Sequence, residues 1–266
     1  MLDQLRKQSV MRWDQGATRI THLNLIGEEP LSIRIQGKPY SVVMRTPGEE
    51  LAHVAGFCLA EGIIDTQADY TAMAFCDGDD TNVVTVTLSA TRRSQITQIL
   101  DRRGFISQTS CGLCGKELVS DLIQKIMPLP DGCVLDHNRV FEQLEALRDI
   151  QPLRKKTRAA HAAAIYDDRY NLLAVAEDVG RHNAVDKAIG KVFLEANLDA
   201  VAFMVMSSRI SYELVQKASR ARIPILVAIS RPTALAVELA SHLNMTLACL
   251  SEGDGLYIFC GQERLN

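Results

Sequence analysis

The strongest constraint on the fold of this chain is an alternation of strand and helix patterns that begins at residue 159. Short apolar runs alternate there with segments in which apolar residues recur at helical spacing. This order predicts βαβ units whose helices cover a sheet. The predicted strands span residues 160–166, 172–176, 200–206, 225–229, 246–250 and 256–259, and the predicted helices span 185–193, 212–221 and 233–243.

The region before this alternation predicts a smaller α+β unit. Alternating apolar residues on both sides of Gly37 predict a β-hairpin. An apolar stripe over residues 51–59 predicts a helix that ends at Gly62. The residues at 46–49 are expected to cap the start of this helix, with Thr46 as the N-cap.

The composition shift near residue 155 suggests a division of the chain into three parts. Residues 1–20 are polar and aperiodic, and we expect them to form a flexible arm. The N-terminal α+β part is assigned to residues 21–155, and the α/β part, which we expect to bind a ligand, to residues 156–266.

Charge and hydropathy exclude two classes of partner. The chain has 29 basic and 32 acidic residues and a formal net charge of −3, so it has no basic excess to neutralise a nucleic-acid backbone. Its longest apolar runs, at 200–206 and 223–229, are far shorter than a membrane span. The charged N-terminus does not resemble a secretory signal. We therefore predict a cytoplasmic protein that binds neither nucleic acid nor membranes.

Two of the seven cysteines form the strongest local motif. Cys111 and Cys114 lie three positions apart, each is followed by glycine, and Lys116 and a predicted helix come next. A nearby cation and a helix N-terminus both favour the thiolate, which is the nucleophilic and metal-binding form of cysteine. The motif therefore predicts chemistry at the sulfurs rather than two packed thiols.

Three kinds of chemistry fit this motif. Together with Cys133 and His137, the two thiols have a spacing that a zinc site tolerates. A thioredoxin-like dithiol is disfavoured because no apolar strand precedes the motif. The third possibility is a sulfur carrier, in which one thiol holds a sulfane sulfur as a persulfide. Spacing alone does not separate zinc binding from sulfur transfer.

A second group of candidate residues follows the predicted strands of the α/β part. The carboxyl ends of strands and the helix N-termini beside them are the usual ligand sites of open α/β sheets. Arginines and hydroxyls at three such ends predict a site for an anionic ligand with phosphates. The alternative is that Ser211 and Thr233 only cap helices and that the arginines are solvated. The candidate residues are Arg181, His182, Ser208, Arg209, Ser230 and Thr233.

One further histidine is given a structural role. His161 opens an apolar strand, and a zinc deaminase would require a glutamate two positions later. Ala163 stands at that position, and the Cys-x-x-Cys pair lies upstream of the histidine. Deaminase chemistry is therefore disfavoured, and His161 is interpreted as a structural residue.

Five motifs of this chain occur together: Ser-Cys-Gly-Leu-Cys-Gly at 110–115, His-Ala-Ala-Ala at 161–164, Glu-Asp-Val-Gly-Arg-His-Asn-Ala-Val-Asp-Lys at 177–187, Ser-Arg-Ile-Ser-Tyr-Glu at 208–213 and Pro-Thr-Ala-Leu-Ala-Val-Glu at 232–238. Together they resemble the FdhD/NarQ family, the sulfur-carrier accessory proteins of formate dehydrogenase. The resemblance covers nearly the whole chain. It implies a cytidine deaminase-like three-layer α/β domain without the deaminase zinc, and a smaller N-terminal α+β part, joined by a flexible Cys-x-x-Cys loop.

The resemblance also implies a function and partners. It implies a cytoplasmic homodimer that accepts sulfur from a cysteine desulfurase and delivers it to Mo-bis(molybdopterin guanine dinucleotide), which formate dehydrogenase requires. No permanently bound metal is expected. Cys111 falls on the family's persulfide position, and Cys114 is expected to act as a resolving or relay thiol. The cofactor-contact segment falls on Cys249, Leu250, Ser251, Glu252, Gly253 and Asp254, and Glu252 departs from the basic residue common there.

Overall fold

The computed structural model describes residues 4–76, 81–96 and 126–266. In the N-terminal region the strands are β1 (Leu5–Asp14), β2 (Ala17–Ile26), β3 (Glu29–Ile35), β4 (Lys38–Arg45), β5 (Tyr70–Phe75) and β6 (Val83–Leu88), and the helices are α1 (Glu50–Ala60) and α2 (Ala90–Gln95). The later helices are α3 (His137–Ala146), α4 (Pro152–Thr157), α5 (Arg181–Leu194), α6 (Tyr212–Arg220) and α7 (Ala234–His242). The later strands are β7 (His161–Tyr166), β8 (Leu172–Asp178), β9 (Phe203–Arg209), β10 (Ile225–Ser230), β11 (Thr246–Leu250) and β12 (Leu256–Cys260).

The N-terminus differs from its prediction. In place of an arm without regular structure over residues 1–20, β1 and β2 pair as an antiparallel hairpin in which Leu5 is opposite Ile26 and Asp14 is opposite Ala17. Most side chains on both faces of this hairpin are exposed. An exposed ribbon has no buried face to impose an alternation of apolar and polar residues, so its sequence carries no strand period.

The predicted hairpin around Gly37 is confirmed. β3 and β4 pair antiparallel, and Gln36 and Gly37 at the turn both have positive φ, of 54° and 76°. Positive φ at both central residues is typical of the tightest hairpin turns. A four-stranded sheet then forms in the order β4-β3-β6-β5.

The predicted strand–helix alternation is also confirmed and forms one six-stranded sheet. Its order is β12-β11-β10-β9-β7-β8. β9, β10 and β11 are parallel to one another, whereas β7 is antiparallel to both of its neighbours, β8 and β9. β8 therefore runs in the same direction as β9.

Helices cover both faces of this sheet. On one face, side chains such as Met204 and Leu226 pack in a cluster with residues of α1, α5, α6 and α7. On the other face, Val205 and Val227 pack with α3 through Val140. The result is a mixed α/β fold with three layers around the larger sheet. The specific likeness to cytidine deaminases stays a prediction.

Two glycines bring the N-terminal part against this layered unit. A Cβ at Gly190 of α5 would lie 1.7 Å from the carbonyl oxygen of Ala52, and one at Gly56 of α1 would lie 1.9 Å from that of Asp186. The two helices therefore cross at a distance that only glycine permits. One apolar cluster joins the two sheets across this contact.

The boundary predicted at residue 155 falls between the four-stranded sheet and the six-stranded sheet, each of which is formed on one side of it. Helix α3 lies before residue 155 but packs on the six-stranded sheet. The division into parts stays a prediction. The predicted loop with Cys111 and Cys114, and the helix expected after it, lie outside the described residues.

Candidate functional site at the carboxyl edge of the sheet

The strand directions bring the predicted ligand residues to one edge of the six-stranded sheet. β8, β9, β10 and β11 all end at this edge, and β7 and β12 begin there. We call it the carboxyl edge. β7 lies between β8 and β9, so the first two strand ends are not adjacent as the sequence order suggested. The edge holds Arg181, His182, Ser208, Arg209, Ser230, Thr233 and the segment 249–254.

The end of β8 is fixed by a buried carboxylate that the prediction did not single out. Asp178 is fully buried and accepts hydrogen bonds from the backbone N–H of Thr46 at 3.0 Å and of Gly180 at 2.8 Å, and from Asn183 Nδ2 at 2.9 Å. Its fourth partner is Lys187 Nζ at 2.7 Å. Lys187 also donates to the Thr46 carbonyl at 2.7 Å. Asp178 thus holds the turn that carries Arg181 and His182.

Thr46 is part of this network, and its predicted role as an N-cap is wrong. Helix α1 begins at Glu50, and its N-cap residue Glu49 makes no side-chain cap bond. The Thr46 hydroxyl instead accepts the backbone N–H of Val179 at 3.0 Å. The physical reason is that the chain crosses from β4 to the end of β8, where Thr46 is fully buried.

Glu177 stabilises a helix start rather than facing a ligand. Its carboxylate accepts the backbone N–H groups of Leu153 at 2.7 Å and Arg154 at 2.8 Å in the first turn of α4. Burial nevertheless raises the pKa of Glu177 above its ordinary value. Glu177 therefore anchors α4 to the carboxyl edge.

Two nitrogen atoms at this edge lack partners. Within the described residues, His161 Nδ1 and Arg181 Nε are buried and have no hydrogen-bond partner. Burial lowers the pKa of His161, and so do the positive charges of Arg181 and Arg154. An unpaired buried donor is costly in a protein interior. Arg181 Nε always carries a proton and therefore fits an anionic group that accepts hydrogen bonds, whereas His161 Nδ1 fits one in the tautomer that carries its proton there. His161, interpreted as structural, thus belongs to the candidate site.

His182 is held by the helix that follows β9. Its Nε2 donates to Glu213 at 3.0 Å, and this hydrogen bond lowers the pKa of Glu213. Ser211 Oγ also donates to Glu213, at 3.2 Å, and makes no cap bond to α6. Ser211 is thus the N-cap residue of α6, as the alternative supposed, but its hydroxyl bonds Glu213 rather than the helix backbone.

The hydroxyls near the end of β9 are already used within the protein. Ser207 Oγ accepts the backbone N–H of Ala162 at 2.8 Å. Ser208 is buried, and its Oγ donates to the carbonyl of Arg209 at 3.0 Å. Arg209 itself is exposed. Of the two residues predicted at this strand end, the arginine is therefore the one available to a ligand.

Thr233 acts as a helix cap, as the alternative interpretation supposed. Its hydroxyl accepts the backbone N–H of Ala236 at 3.3 Å at the start of α7. Ser230, at the end of β10, is exposed. Thr233 is exposed as well, but its hydroxyl already accepts this cap bond.

The segment after β11 is the open side of the carboxyl edge. Cys249 is fully buried, and burial raises the pKa of its thiol. The turn beyond it is exposed, and Gly253 there has a φ of 105°, which favours glycine. Arg231 pairs with Glu252 at 3.2 Å, and both side chains are mostly exposed. A ligand at this turn would meet an arginine that already has a carboxylate partner.

The zinc alternative rests on four residues, of which Cys111 and Cys114 lie outside the described ranges. Burial and the charge of Asp168 raise the pKa of Cys133. His137 Nδ1 lies in hydrogen-bond contact with the backbone carbonyl of Asn266. Within residues 4–76, 81–96 and 126–266, no group of three or more histidine, cysteine or acidic side chains could hold a metal ion. The four-residue zinc site stays a prediction.

A second concave region lies at the opposite edge of the sheet. It is a cavity of about 540 Å³ between the β7–β8 turn at 167–171, the approach to β9 at 199–202, and Arg222 before β10. Cys133 is on its wall. None of the residues predicted to bind the cofactor lines it.

No helix in the described part of the chain is long and apolar enough to cross a membrane.

Comparison with known proteins places the chain in a family. A protein of Streptomyces coelicolor named sulfur carrier protein FdhD is 37% identical over 97% of this chain and 95% of its own length. A protein of Mycobacterium tuberculosis with the same name is 36% identical over 95% of this chain and 94% of its own length.

A solved structure shows the same fold. It is described as a putative formate dehydrogenase accessory protein from Desulfotalea psychrophila, with a TM-score of 0.77 and 23% identity over 99% of this chain and 100% of that one. The sequence pattern of the FdhD/NarQ family matches residues 26–266. This chain is therefore a member of the FdhD/NarQ family.

Proposed function

We propose that this protein is a sulfurtransferase that carries persulfide sulfur from a cysteine desulfurase to the molybdenum cofactor of formate dehydrogenase. The names of its relatives support sulfur transfer. The description of the solved structure supports a link to formate dehydrogenase. The intact Ser-Cys-Gly-Leu-Cys-Gly motif at 110–115 supplies the nucleophile that such a carrier needs.

The observation that carries the cofactor side of this proposal is the pair of unpartnered nitrogens at the carboxyl edge. Arg181 Nε and His161 Nδ1 are buried beside the N-terminus of α5. A helix N-terminus and an arginine are the usual elements of a phosphate site. We assign one of the two molybdopterin guanine dinucleotide units of Mo-bis(molybdopterin guanine dinucleotide) to this edge, with its phosphates near Arg181. The segment 249–254 closes the opposite side of the ligand.

The sulfur step is a thiol–persulfide exchange. The Cys111 thiolate attacks the outer sulfur of the desulfurase persulfide, a new S–S bond forms on Cys111, and the desulfurase cysteine leaves as a thiolate. Cys114 then attacks Cys111 Sγ, so that the outer sulfur leaves as sulfide toward molybdenum. The two cysteines remain as a disulfide, which a cellular thiol must reduce before the next cycle.

The remaining parts of the proposal concern setting and assembly. We place the reaction in the cytoplasm, where reduced thiols are maintained. We also expect a homodimer, with the guanine nucleotide bound at the sheet edge or crevice of the dimer. The protein meets two enzymes in turn, the desulfurase and formate dehydrogenase, and keeps no permanently bound metal.

Mass spectrometry of the non-reduced protein tests the proposal. After incubation with a cysteine desulfurase and cysteine, wild type should gain one sulfur atom on Cys111, and C111A should gain none. C76A is a matched control because Cys76 is an exposed thiol outside the motif. C114A should be impaired to a smaller or comparable extent in activating formate dehydrogenase, and C133A should be near wild type.

Two outcomes would contradict the proposal. Activation of formate dehydrogenase by C111A at the wild-type level would move the chemistry to another residue. A stoichiometric zinc in the purified protein, with no sulfur adduct after the incubation, would favour a zinc-stabilised binding module.

A further inference from the structure

The β1–β2 hairpin carries an apolar cluster that no described residue covers. Met11 is directly opposite Ile20, and Trp13 lies two residues further along the same face. These side chains are 75%, 76% and 73% exposed. We call Met11, Trp13 and Ile20 the apolar tip. A contiguous exposed apolar patch usually marks an interaction site, and a lone two-stranded ribbon is only marginally stable in water.

The same hairpin is strongly basic, although the whole chain has a net charge of −3. Four cations stand on its strands against a single carboxylate, Asp14, which pairs with Arg12 at 2.9 Å and Arg19 at 3.9 Å. Within the described part of the chain, Arg6 and Lys7 have no carboxylate partner. The hairpin therefore complements an acidic surface.

The base of the hairpin is fastened beside the carboxyl edge. Gln4 Nε2 donates to the carbonyl of Pro47 at 2.8 Å, one residue beyond Thr46 of the buried network. β2 also contacts α4, whose first turn is anchored by Glu177. A partner held by the hairpin would therefore be held next to the candidate cofactor site.

We propose that the hairpin is a docking arm for an acidic protein surface with an apolar recess, and that this surface belongs to the enzyme that receives the cofactor from the carboxyl edge. The choice of enzyme rests on the function proposed above. The apolar tip fills the recess, Lys7 meets a carboxylate on the same face of the hairpin, and Arg6, which points to the other face, adds to the positive charge that attracts the acidic surface. The open backbone edges of β1 and β2 can add a strand of the partner.

Two other occupants fit less well. Insertion of the hairpin into the hydrocarbon region of a lipid layer would leave the backbone N–H and C=O groups of its open edges without partners, whereas a protein strand can pair with them. Hairpin-to-hairpin pairing of two copies would bring two basic arms together, which like-charge repulsion disfavours.

The test measures binding of the full chain to the cofactor-free formate dehydrogenase of the same organism. The tip variant is M11T/W13T/I20T, which keeps residues compatible with strands. V42T is the matched control, because Val42 is 63% exposed on β4. Wild type and V42T should bind with an affinity that falls as salt increases. The tip variant should bind at least about tenfold more weakly, as expected for loss of aromatic and apolar anchors.

A second variant and a second ligand keep the test decisive. R6S/K7S leaves the apolar tip in place and should mainly slow association. All these variants should bind GDP as wild type does, because the nucleotide site is elsewhere. Failure of wild type to bind the enzyme, or equal binding by the tip variant, would overturn the docking arm. The proposed function is tested independently of the docking arm, by persulfide formation on Cys111 and by GDP binding.

Two further results would assign the hairpin to another occupant. Binding of wild type, but not of the tip variant, to vesicles of phosphatidylglycerol and phosphatidylcholine would indicate a membrane surface. A mass measured by light scattering that falls from dimer to monomer in the tip variant would indicate a second copy of the chain. Either result would overturn the proposal.

Discussion

The two sides of the carboxyl edge are built on opposite principles. At the end of β8, Asp178 and Lys187 form an ion pair at 2.7 Å in which both side chains are almost completely buried. Near the ends of β10 and β11, Arg231 and Glu252 form a pair at 3.2 Å in which both are mostly exposed. The β8 side of the edge is thus fixed by buried polar contacts, whereas the side at β10 and β11 carries an ion pair that is exposed to solvent.

This difference separates scaffold from contact surface. A buried charge cannot lose its partner without a large cost, because water cannot replace that partner. An exposed pair in high dielectric contributes little and exchanges partners readily. The β8 side therefore positions Arg181 and His182, while the exposed turn at 252–254 has fewer contacts to rearrange when a ligand binds.

The largest expected effect comes from breaking the buried pair. K187M should reduce the free energy of unfolding by about 3–5 kcal/mol, since Asp178 stays buried without its cation. The matched change R231M should cost less than about 1 kcal/mol, because its pair is exposed. Urea unfolding followed by circular dichroism measures both. Equal losses of unfolding free energy in K187M and R231M would contradict the difference between the two sides.

The next effect concerns ligand binding. R181A should weaken the binding of GDP by about 1.5–3 kcal/mol, because Arg181 is proposed to make a charge-assisted bond to phosphate. R209A should weaken GDP binding as well. R169A is the control, because Arg169 lines the cavity at the opposite edge. Isothermal titration calorimetry gives the affinities. The same affinity in wild type and all three variants would mean that Arg181 and Arg209 are only solvated charges.

A pH dependence of stability should come from His53 of α1, which is fully buried and feels the charge of Lys187 on the β8 side. Burial and the nearby charges of Lys187 and Lys217 lower the pKa of His53 well below 6.5 in the folded protein. The unfolded chain therefore binds a proton at higher pH than the folded one. Stability that His53 contributes is present above pH 6.5 and is lost as the pH falls below it, by at most about 1.4 kcal/mol per pH unit.

The variant H53Q isolates this contribution. We expect the difference in unfolding free energy between wild type and H53Q to shrink as the pH is lowered from about 8 to about 5.5. Urea titrations at four or so pH values measure this difference. A difference that is constant over the range would show that His53 takes up its proton equally well in the folded and the unfolded chain.

The smallest effect is expected on the open side. E252Q should change the free energy of unfolding by less than about 1 kcal/mol, because the pair with Arg231 is exposed. The same change frees Arg231 for a phosphate, so affinity for GDP should rise by up to about fivefold. Calorimetry on E252Q beside wild type measures the gain. A weaker affinity in E252Q would mean that Glu252 itself supports the ligand.

The strand pattern predicted the six-stranded sheet well because its signal is local. A strand buried on both faces, such as β9, is a continuous apolar run wherever it occurs. The turn at Gly37 and the helix end at Gly62 were predictable for the same reason, since a positive φ favours glycine at each. From these elements the carboxyl edge, with its arginines, followed directly.

The network that fixes this edge could not be predicted in the same way. Thr46 and Asp178 are bonded across 132 positions of the chain, and no local pattern records that contact. The sequence around Thr46 does match a helix cap, but burial against β8 decides its role. The place of His161 in the site was not predictable from local sequence either, because its neighbour Arg181 comes from another strand end.

Hydrogen–deuterium exchange of the full chain with and without saturating GDP tests the central claim most directly. The proposal that the carboxyl edge is the cofactor site predicts slower exchange with GDP in four segments and little change elsewhere. The segments are residues 177–182, 207–211, 230–233 and 249–254. Slower exchange at residues 167–171 and 199–202, on the cavity at the opposite edge, would contradict it. So would the absence of any change in exchange at nucleotide concentrations that saturate binding.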